Sequence, residues 1–254
     1  MKIYSFNVNG IRAAFNKGFA EWLKTNSPDV LCIQETKAQE NQIEKAIFDH
    51  FNYFNYWHCA EKKGYSGVGI ISKTEPENIE YGMGMHKYDS EGRVIRAEFN
   101  SFVLICVYIP SGTTGDIRQD FKMEFLEDFR KYLLQQKTKH KKIIVTGDFN
   151  ICHKPIDINH PERHKKTSGF LPEERAWFDE ITDTDKWVDS FREFNNEPEQ
   201  YSWWSYRANS KAKNLGWRID YHLISPELRP ELTNASIHPE INISDHCPIS
   251  IEIK

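Results

Sequence analysis

Ile143-Ile144-Val145-Thr146-Gly147-Asp148-Phe149-Asn150 is the stretch that decides the fold. Three apolar β-branched residues in succession, Ile143 to Val145, read as a buried strand, and the Gly, Asp and Asn that follow favour a turn. A strand ending in two polar residues separated by one apolar residue carries its polar groups out of a core and into a loop. The same cadence opens the chain, in Ile3-Tyr4-Ser5-Phe6-Asn7-Val8-Asn9. Two such segments can mark two related halves, although chance also produces the pattern often.

Working outward, apolar runs rich in β-branched and aromatic residues recur at 3–6, 30–33, 68–71, 94–99, 102–109, 143–145, 219–224 and 249–253, and each reads as a strand. Helical periodicity lies between some of them. Phe121, Phe125, Phe129 and Leu133 repeat at every fourth position with Leu126 beside them, giving one apolar face to a helix of several turns. Residues 41–48 predict a shorter helix with Ile43, Ile47 and Phe48 inward. Strands with interspersed helices indicate an α/β sandwich with its sheets at the centre. No Gly/Ser- or Pro-rich linker divides residues 1–254, so one domain is expected.

A chain of 254 residues can bury a sizeable core. Its 39% hydrophobic and 28% charged residues are the balance of a globular protein rather than a disordered one. No apolar run approaches the ~20 residues of a membrane span and no leader-like apolar region opens the chain, so no membrane contact and a cytoplasmic location are expected. Cys32, Cys59, Cys106, Cys152 and Cys247 are scattered and never form a C-x-x-C pair. That argues against a disulfide framework or zinc site and suits a reducing compartment. With a net charge of -4, a polyanion must be gathered by local patches. Basic residues cluster at 139–142, at 163–166, and from Arg207 through Lys211 and Lys213 to Arg218. Such clusters are usually solvated faces. The last differs, because Trp203, Trp204, Tyr206 and Trp217 interleave with it, and cations beside flat rings compose a nucleic-acid groove.

The polar residues fall at strand ends. Asn7 and Asn9 follow the first run, and Glu35 follows the second. Tyr108 precedes the turn Pro110-Ser111-Gly112, Asp148 and Asn150 follow the run at 143–145, Asp220 opens another strand, and Asp245 and His246 precede the last. Loops at strand ends are the usual home of active sites in layered α/β proteins. Taken singly, each has an ordinary structural explanation, such as a turn, a solvated strand end or a sheet-end aromatic. Together they offer hard oxygen ligands for magnesium and amide, phenol and imidazole donors for a phosphate.

Six segments stand in order: N-V-N-G-I-R (7–12), I-Q-E-T-K (33–37), Y-I-P-S-G (108–112), G-D-F-N (147–150), N-L-G-W-R-I-D-Y (214–221) and S-D-H-C-P-I (244–249). So ordered, the chain resembles the exonuclease III branch of the apurinic/apyrimidinic endonucleases, within the endonuclease/exonuclease/phosphatase superfamily, over essentially its whole length. The resemblance implies an α/β fold, a four-layer sandwich of two packed mixed sheets flanked by helices. It implies a monomeric DNA repair nuclease that hydrolyses phosphodiester bonds of double-stranded DNA at abasic sites and 3′ ends, the latter as 3′–5′ exonuclease and 3′-phosphatase. The implied cofactor is Mg2+, with Mn2+ able to substitute.

Roles follow from the same resemblance. Glu35 would be the principal metal ligand with Asn7 and Asp245 nearby, and Asp148, Asn150 and His246 complete the set around metal and phosphate. Asp148 would orient or deprotonate the attacking water and Asn150 would hold the scissile phosphate. His246, oriented by Asp220, would donate to a phosphate oxygen, and Tyr108 would contact the phosphate or assist the leaving group. The general base, one metal against two, and the part of Asn9 stay open at this level. Trp217, with Trp203 as its neighbour, would wall a pocket for a flipped-out, base-less sugar; a core position is the other reading of Trp203. Arg207 and Lys213 are expected groove contacts. A phosphoesterase for inositol phosphates or sphingomyelin would share Glu35, Asp148, Asn150, Asp245 and His246. Gly216-Trp217-Arg218 and the interleaved aromatics favour DNA, and the filled catalytic positions argue against a mere binding module.

Overall fold

A computed structural model describes residues 1–254. Its strands are β1 (Lys2–Asn7), β2 (Val30–Gln34), β3 (Phe54–His58), β4 (Val68–Ser72), β5 (Asn78–Tyr81), β6 (Val94–Phe99), β7 (Phe102–Tyr108), β8 (Ile143–Asp148), β9 (Val188–Asp189), β10 (Trp203–Trp204), β11 (Gly216–Trp217), β12 (Asp220–Ile224), β13 (Leu232–Ile237) and β14 (Ile249–Ile253). The α-helices are α1 (Ile11–Asn16), α2 (Phe19–Asn26), α3 (Lys45–His50), α4 (His86–Asp89), α5 (Asp116–Lys139), α6 (Pro161–His164) and α7 (Pro172–Asp179).

Two six-stranded sheets are ordered β13-β14-β1-β2-β4-β3 and β5-β6-β7-β8-β12-β9. In the first, β1 pairs with antiparallel β14 and parallel β2; in the second, β8 pairs with antiparallel β12 and parallel β7. The remaining pairings are antiparallel in both sheets. The two sheets therefore repeat one scheme, and the similar segments at 3–9 and 143–150 take the same place in each.

Strand parity sets the layers, because alternate side chains point to opposite faces. Ile3, Val30, Cys32, Val68 and Ile70 of one sheet meet Ile95, Leu104, Cys106, Ile144 and Ile224 of the other in a central core. Tyr4, Phe6, Leu31 and Ile33 face outward under α1, α2 and α3. Val103, Ile105, Ile143 and Val145 face outward under α5 and α7. These are the four layers expected. Helix α5 buries Phe125, Leu126, Phe129 and Leu133 of the foreseen stripe, and also Lys122. Its first turn holds Asp116 and its last Lys137 and Lys139, each favourable to the helix dipole.

The helix expected at 41–48 is shorter. Glu40–Gln42 forms a 3-10 turn, Ile43 is extended, and α3 starts at Lys45. Ile43 and Phe48 are still buried. Of the strands without a clear sequence signal, β3, β5, β9 and β13 are the edges of the two large sheets, and β10 and β11 form a separate two-stranded sheet of two residues each. Edge strands are wetted on one side, and the pattern of Asn78–Tyr81 is exposed at three of its four residues. All five cysteines are free and four are buried. No helix is long and apolar enough to cross a membrane.

Candidate active site

The parity that builds the core also builds the site. On the face toward the opposite sheet, β1 presents Ile3, Ser5 and Asn7, while β8 presents Ile144, Thr146 and Asp148. Each begins apolar and ends polar at the same edge of the sandwich. Asn7 pairs with Gln34 in register, Tyr108 with Asp148, and Asp148 with Asp220. One row of polar side chains from two sheets thus caps the central core. Asn7 Nδ2 crosses the interlayer to Asp148 Oδ2 at 2.8 Å and also donates to Glu35 Oε1 at 2.9 Å.

The two similar segments make the same turn. The Asn9 amide donates to Asn7 Oδ1 at 2.9 Å, and the Asn150 amide donates to Asp148 Oδ1 at 2.8 Å. Asn9 and Asn150 both lie in the left-handed region, with φ of 46° and 51°, which Asn tolerates well. Asn150 Nδ2 donates to Ile109 O at 2.9 Å and reaches Asp148 Oδ2 at 3.4 Å. Glu35, with φ of 52°, turns out of β2 toward the cavity. Lys37 Nζ lies 2.6 Å from Glu35 Oε2 and 2.5 Å from Asn9 Oδ1. Asn9 Nδ2 in turn donates to Asp245 Oδ1 at 2.9 Å. Asn9, whose part the sequence left open, and Lys37, quoted in its motif but given no role, link the two acids.

His246 Nδ1 lies 2.9 Å from Asp220 Oδ2, and its Nε2 lies 3.8 Å from Asp148 Oδ2. Ser202 Oγ fixes the Asp220 carboxylate at 2.6 Å. Burial pulls the imidazole pKa down, but Asp220 and Asp148 outweigh it and raise it to about 10, so the ring is protonated at neutral pH. Burial raises Asp148, His246 opposes that, and Asp220 and Glu35 reinforce it. Burial also raises the Tyr108 phenol well above its ordinary value, so it stays a hydrogen-bond donor; the Arg93 guanidinium beneath its ring acts the other way.

A cavity of about 410 Å³ opens over this row. Glu35, Tyr108, Asp148, Asn150, Asp245 and His246 line one side, with Asn9 and Lys37. Trp203, Trp217, Thr167, Ser168 and Gly169 line another. The Trp203 and Trp217 rings meet edge to face at 5.9 Å, and Trp203 Nε1 donates to Asp245 Oδ2 at 3.0 Å. Trp203 is therefore a cavity wall tied to the acids, not a core residue. Gly169 is required here: a Cβ would meet the Trp217 ring at 2.9 Å, and its φ is +96°.

The expected basic face divides. Arg207 and Lys213 are exposed but do not line the cavity. Lys211 donates to Ile241 O at 2.9 Å and packs over Trp204. Arg218 is a correction to the basic cluster: it is 1% exposed and paired with Asp157 and Asp189, so it meets no solvent phosphate. By contrast, His164 of the 163–166 cluster packs on Trp217 at 5.0 Å. That brings to the cavity rim a cluster that nothing in the sequence set apart from the other solvated faces.

One oxygen or nitrogen from each of Glu35, Asp148 and His246 lies within 4.8 Å of the others. Two hard carboxylates opening into a polar cavity fit a divalent cation, and the Lys37 ammonium on Glu35 marks where positive charge is stabilised.

A layered sandwich with acids, a carboxylate–imidazole pair and amide donors at one strand edge defines a hydrolase of phosphate esters. The model of the endonuclease/exonuclease/phosphatase family matches residues 4–246. The chain is 41% identical to the DNA repair nuclease APEX1 of Danio rerio, over 99% of this chain and 81% of that one. It is likewise 41% identical to an exodeoxyribonuclease of Bacillus subtilis, over 100% and 99% of the two chains. The solved structure of an AP endonuclease from Archaeoglobus fulgidus superposes with a TM-score of 0.90 at 30% identity, covering 100% of this chain and 99% of that one. The chain belongs to the endonuclease/exonuclease/phosphatase family.

Proposed function

We propose that this chain is a magnesium-dependent DNA repair nuclease that incises at abasic sites and processes 3′ ends, with residues 1–254 as one catalytic unit. The observation that carries the reading is a single cavity lined both by Asp148 and His246, the latter held from behind by Asp220, and by the indole wall of Trp203 and Trp217. Inositol phosphates or phospholipid head groups would need no such wall. The apurinic/apyrimidinic and exodeoxyribonuclease names of its relatives point the same way.

The chain's own groups divide the work. A divalent cation on Glu35, when bound, supplies positive charge to the phosphate oxygens and the leaving group. Asp148, whose burial raises its proton affinity, takes the proton of the attacking water. His246 donates from Nε2 to a nonbridging oxygen while Asp220 holds Nδ1. Asn150 gives the phosphate the N–H now spent on its long 3.4 Å contact with Asp148. Asn7 spaces Glu35 from Asp148, and the Tyr108 phenol donates toward the leaving oxygen. Trp217 and Trp203 accept a sugar that lacks a base and exclude an intact nucleotide by shape.

Digestion of an abasic and an undamaged duplex side by side, with and without chelator, tests the reading. Chelation should abolish incision, and Mg2+ or Mn2+ should restore it. Glu35→Ala should lose roughly 100-fold or more in turnover while remaining folded. Robust incision in saturating chelator would overturn the metal assignment. Equal turnover of both duplexes, or preferred hydrolysis of phospholipid head groups, would overturn the substrate.

A further inference from the structure

A buried ion pair lies behind the cavity, and none of the steps above uses it. Lys122 of α5 and Glu174 of α7 are both 0% exposed, with Nζ 2.6 Å from Oε1. Buried pairs are poor stabilisers in general, because desolvating two charges offsets much of their attraction. This one spends its remaining hydrogen bonds on two loops. Lys122 Nζ donates to the backbone oxygen of Asn150 at 2.8 Å. Glu174 Oε2 accepts the backbone amides of Gly169 at 2.6 Å and Leu171 at 3.0 Å, and its Oε1 accepts Ser168 Oγ at 3.3 Å. Asn150 and Gly169 line the cavity from two different loops. Both lie at positive φ, and Gly169 lies against the ring of Trp217. Cys152 N also donates to Gly169 O at 2.7 Å, which ties the two loops to each other.

We propose that Lys122 and Glu174 are positioning residues that set the Asn150 side-chain amide against the scissile phosphate and lock its loop to the loop flooring the Trp217 wall. The proposal rests on the assignment of Asn150 as phosphate holder. The pair works as one unit: Glu174 neutralises the lysine, and the lysine's free donor and the carboxylate's free oxygen each fasten one loop. A displacement of the Asn150 side chain by a fraction of an ångström lowers turnover more than affinity, because the contact matters most as charge develops on the phosphate.

The test is a cycle of Lys122→Met with Glu174→Gln, which removes both charges together, combined with Asn150→Ala. Turnover and KM are measured on an abasic duplex at saturating Mg2+, with folding checked by circular dichroism. In the parent, the charge-free pair should lose tenfold or more in kcat with KM within about threefold. On the Asn150→Ala background the same change should cost less than about threefold, since groups acting through one another are not additive. Equal losses on both backgrounds would overturn the proposal and mark the pair as merely structural. Parent-level turnover by Asn150→Ala would instead sink the phosphate assignment, and the proposal with it. Should the charge-free pair not fold, Gln119→Leu is the second variant. Gln119 is half-buried and joins Glu174 and Ser168 from the solvent side, so its loss should lower kcat several-fold with KM held, and an unchanged kcat would overturn the proposal.

Discussion

Asp148 is where one side chain carries most of the chemistry. It accepts from Asn7 and from the Asn150 amide, lies 3.8 Å from His246, and is 1% exposed. Replacement by Asn keeps its shape and removes a charge and a proton acceptor. Asp148→Asn should therefore lose turnover by roughly 1,000-fold, while affinity for duplex DNA holds or rises because a negative group facing the phosphate is gone. Binding that falls as far as turnover, measured by fluorescence anisotropy in Ca2+, would show that Asp148 is chiefly structural. At this scale the sequence was informative for residues with reactive side chains at strand ends. Lys37 and Asn9 were harder. Asn9 acts through Asp245 far along the chain, and Lys37 joins its near neighbour Glu35 to Asn9; no spacing marks such contacts.

At the scale of elements, the parallel β7–β8 pair supports the catalytic edge, and Gly147 is its tightest point. A Cβ there would stand 1.8 Å from Val107 O, with φ at +148°. Gly147→Ala should destabilise the fold by about 3 kcal/mol through backbone strain and displacement. Gly64 is the control: its φ is +71° but nothing lies within 4 Å, so Gly64→Ala should cost only about 1 kcal/mol. Urea unfolding of the two variants checks the contrast, and equal losses would refute a steric origin. The sequence marked Gly147 as a turn residue; the pressing carbonyl of β7 is a tertiary fact. Edge strands and the short helices escaped for a related reason. Their pattern is diluted by solvent on one side, so periodicity fades where the core ends.

For the whole molecule, the buried network of Asp157, Arg218, Asp189 and Arg192 fastens the loop after β8 to β9 and to the start of β12. Burial alone would raise the Asp157 pKa, but Arg218 and then Arg192 outweigh it and hold it down at about 2, against an ordinary 3.8. A depressed folded-state value stabilises the protein above the unfolded pKa, and that contribution is lost as pH falls through the folded one. The network should therefore contribute about 2 kcal/mol at neutral pH and lose it from roughly pH 4 to pH 2. In Asp157→Asn the acid limb of stability against pH should flatten across that window, in unfolding curves taken at each pH. An unchanged limb would assign acid sensitivity to other carboxylates.

While the four-layer arrangement came from the family resemblance, the sequence by itself determined an α/β sandwich with central sheets, the central strands, the long amphipathic helix and the reactive residues at strand ends. Each of these is a local signal: an apolar period of two or near four, or a turn residue just past a strand. The tertiary structure alone decided which of those residues meet. Parity and register, acting across two sheets, place Asn7 against Asp148 although 141 positions separate them. It also decided the fate of charges that look alike in sequence. Arg218 and Lys122 are sealed inside with carboxylate partners, while Arg207 and Lys213 stay in water. A charge is buried only where an opposite charge is delivered to it, and that delivery depends on the path of the whole chain.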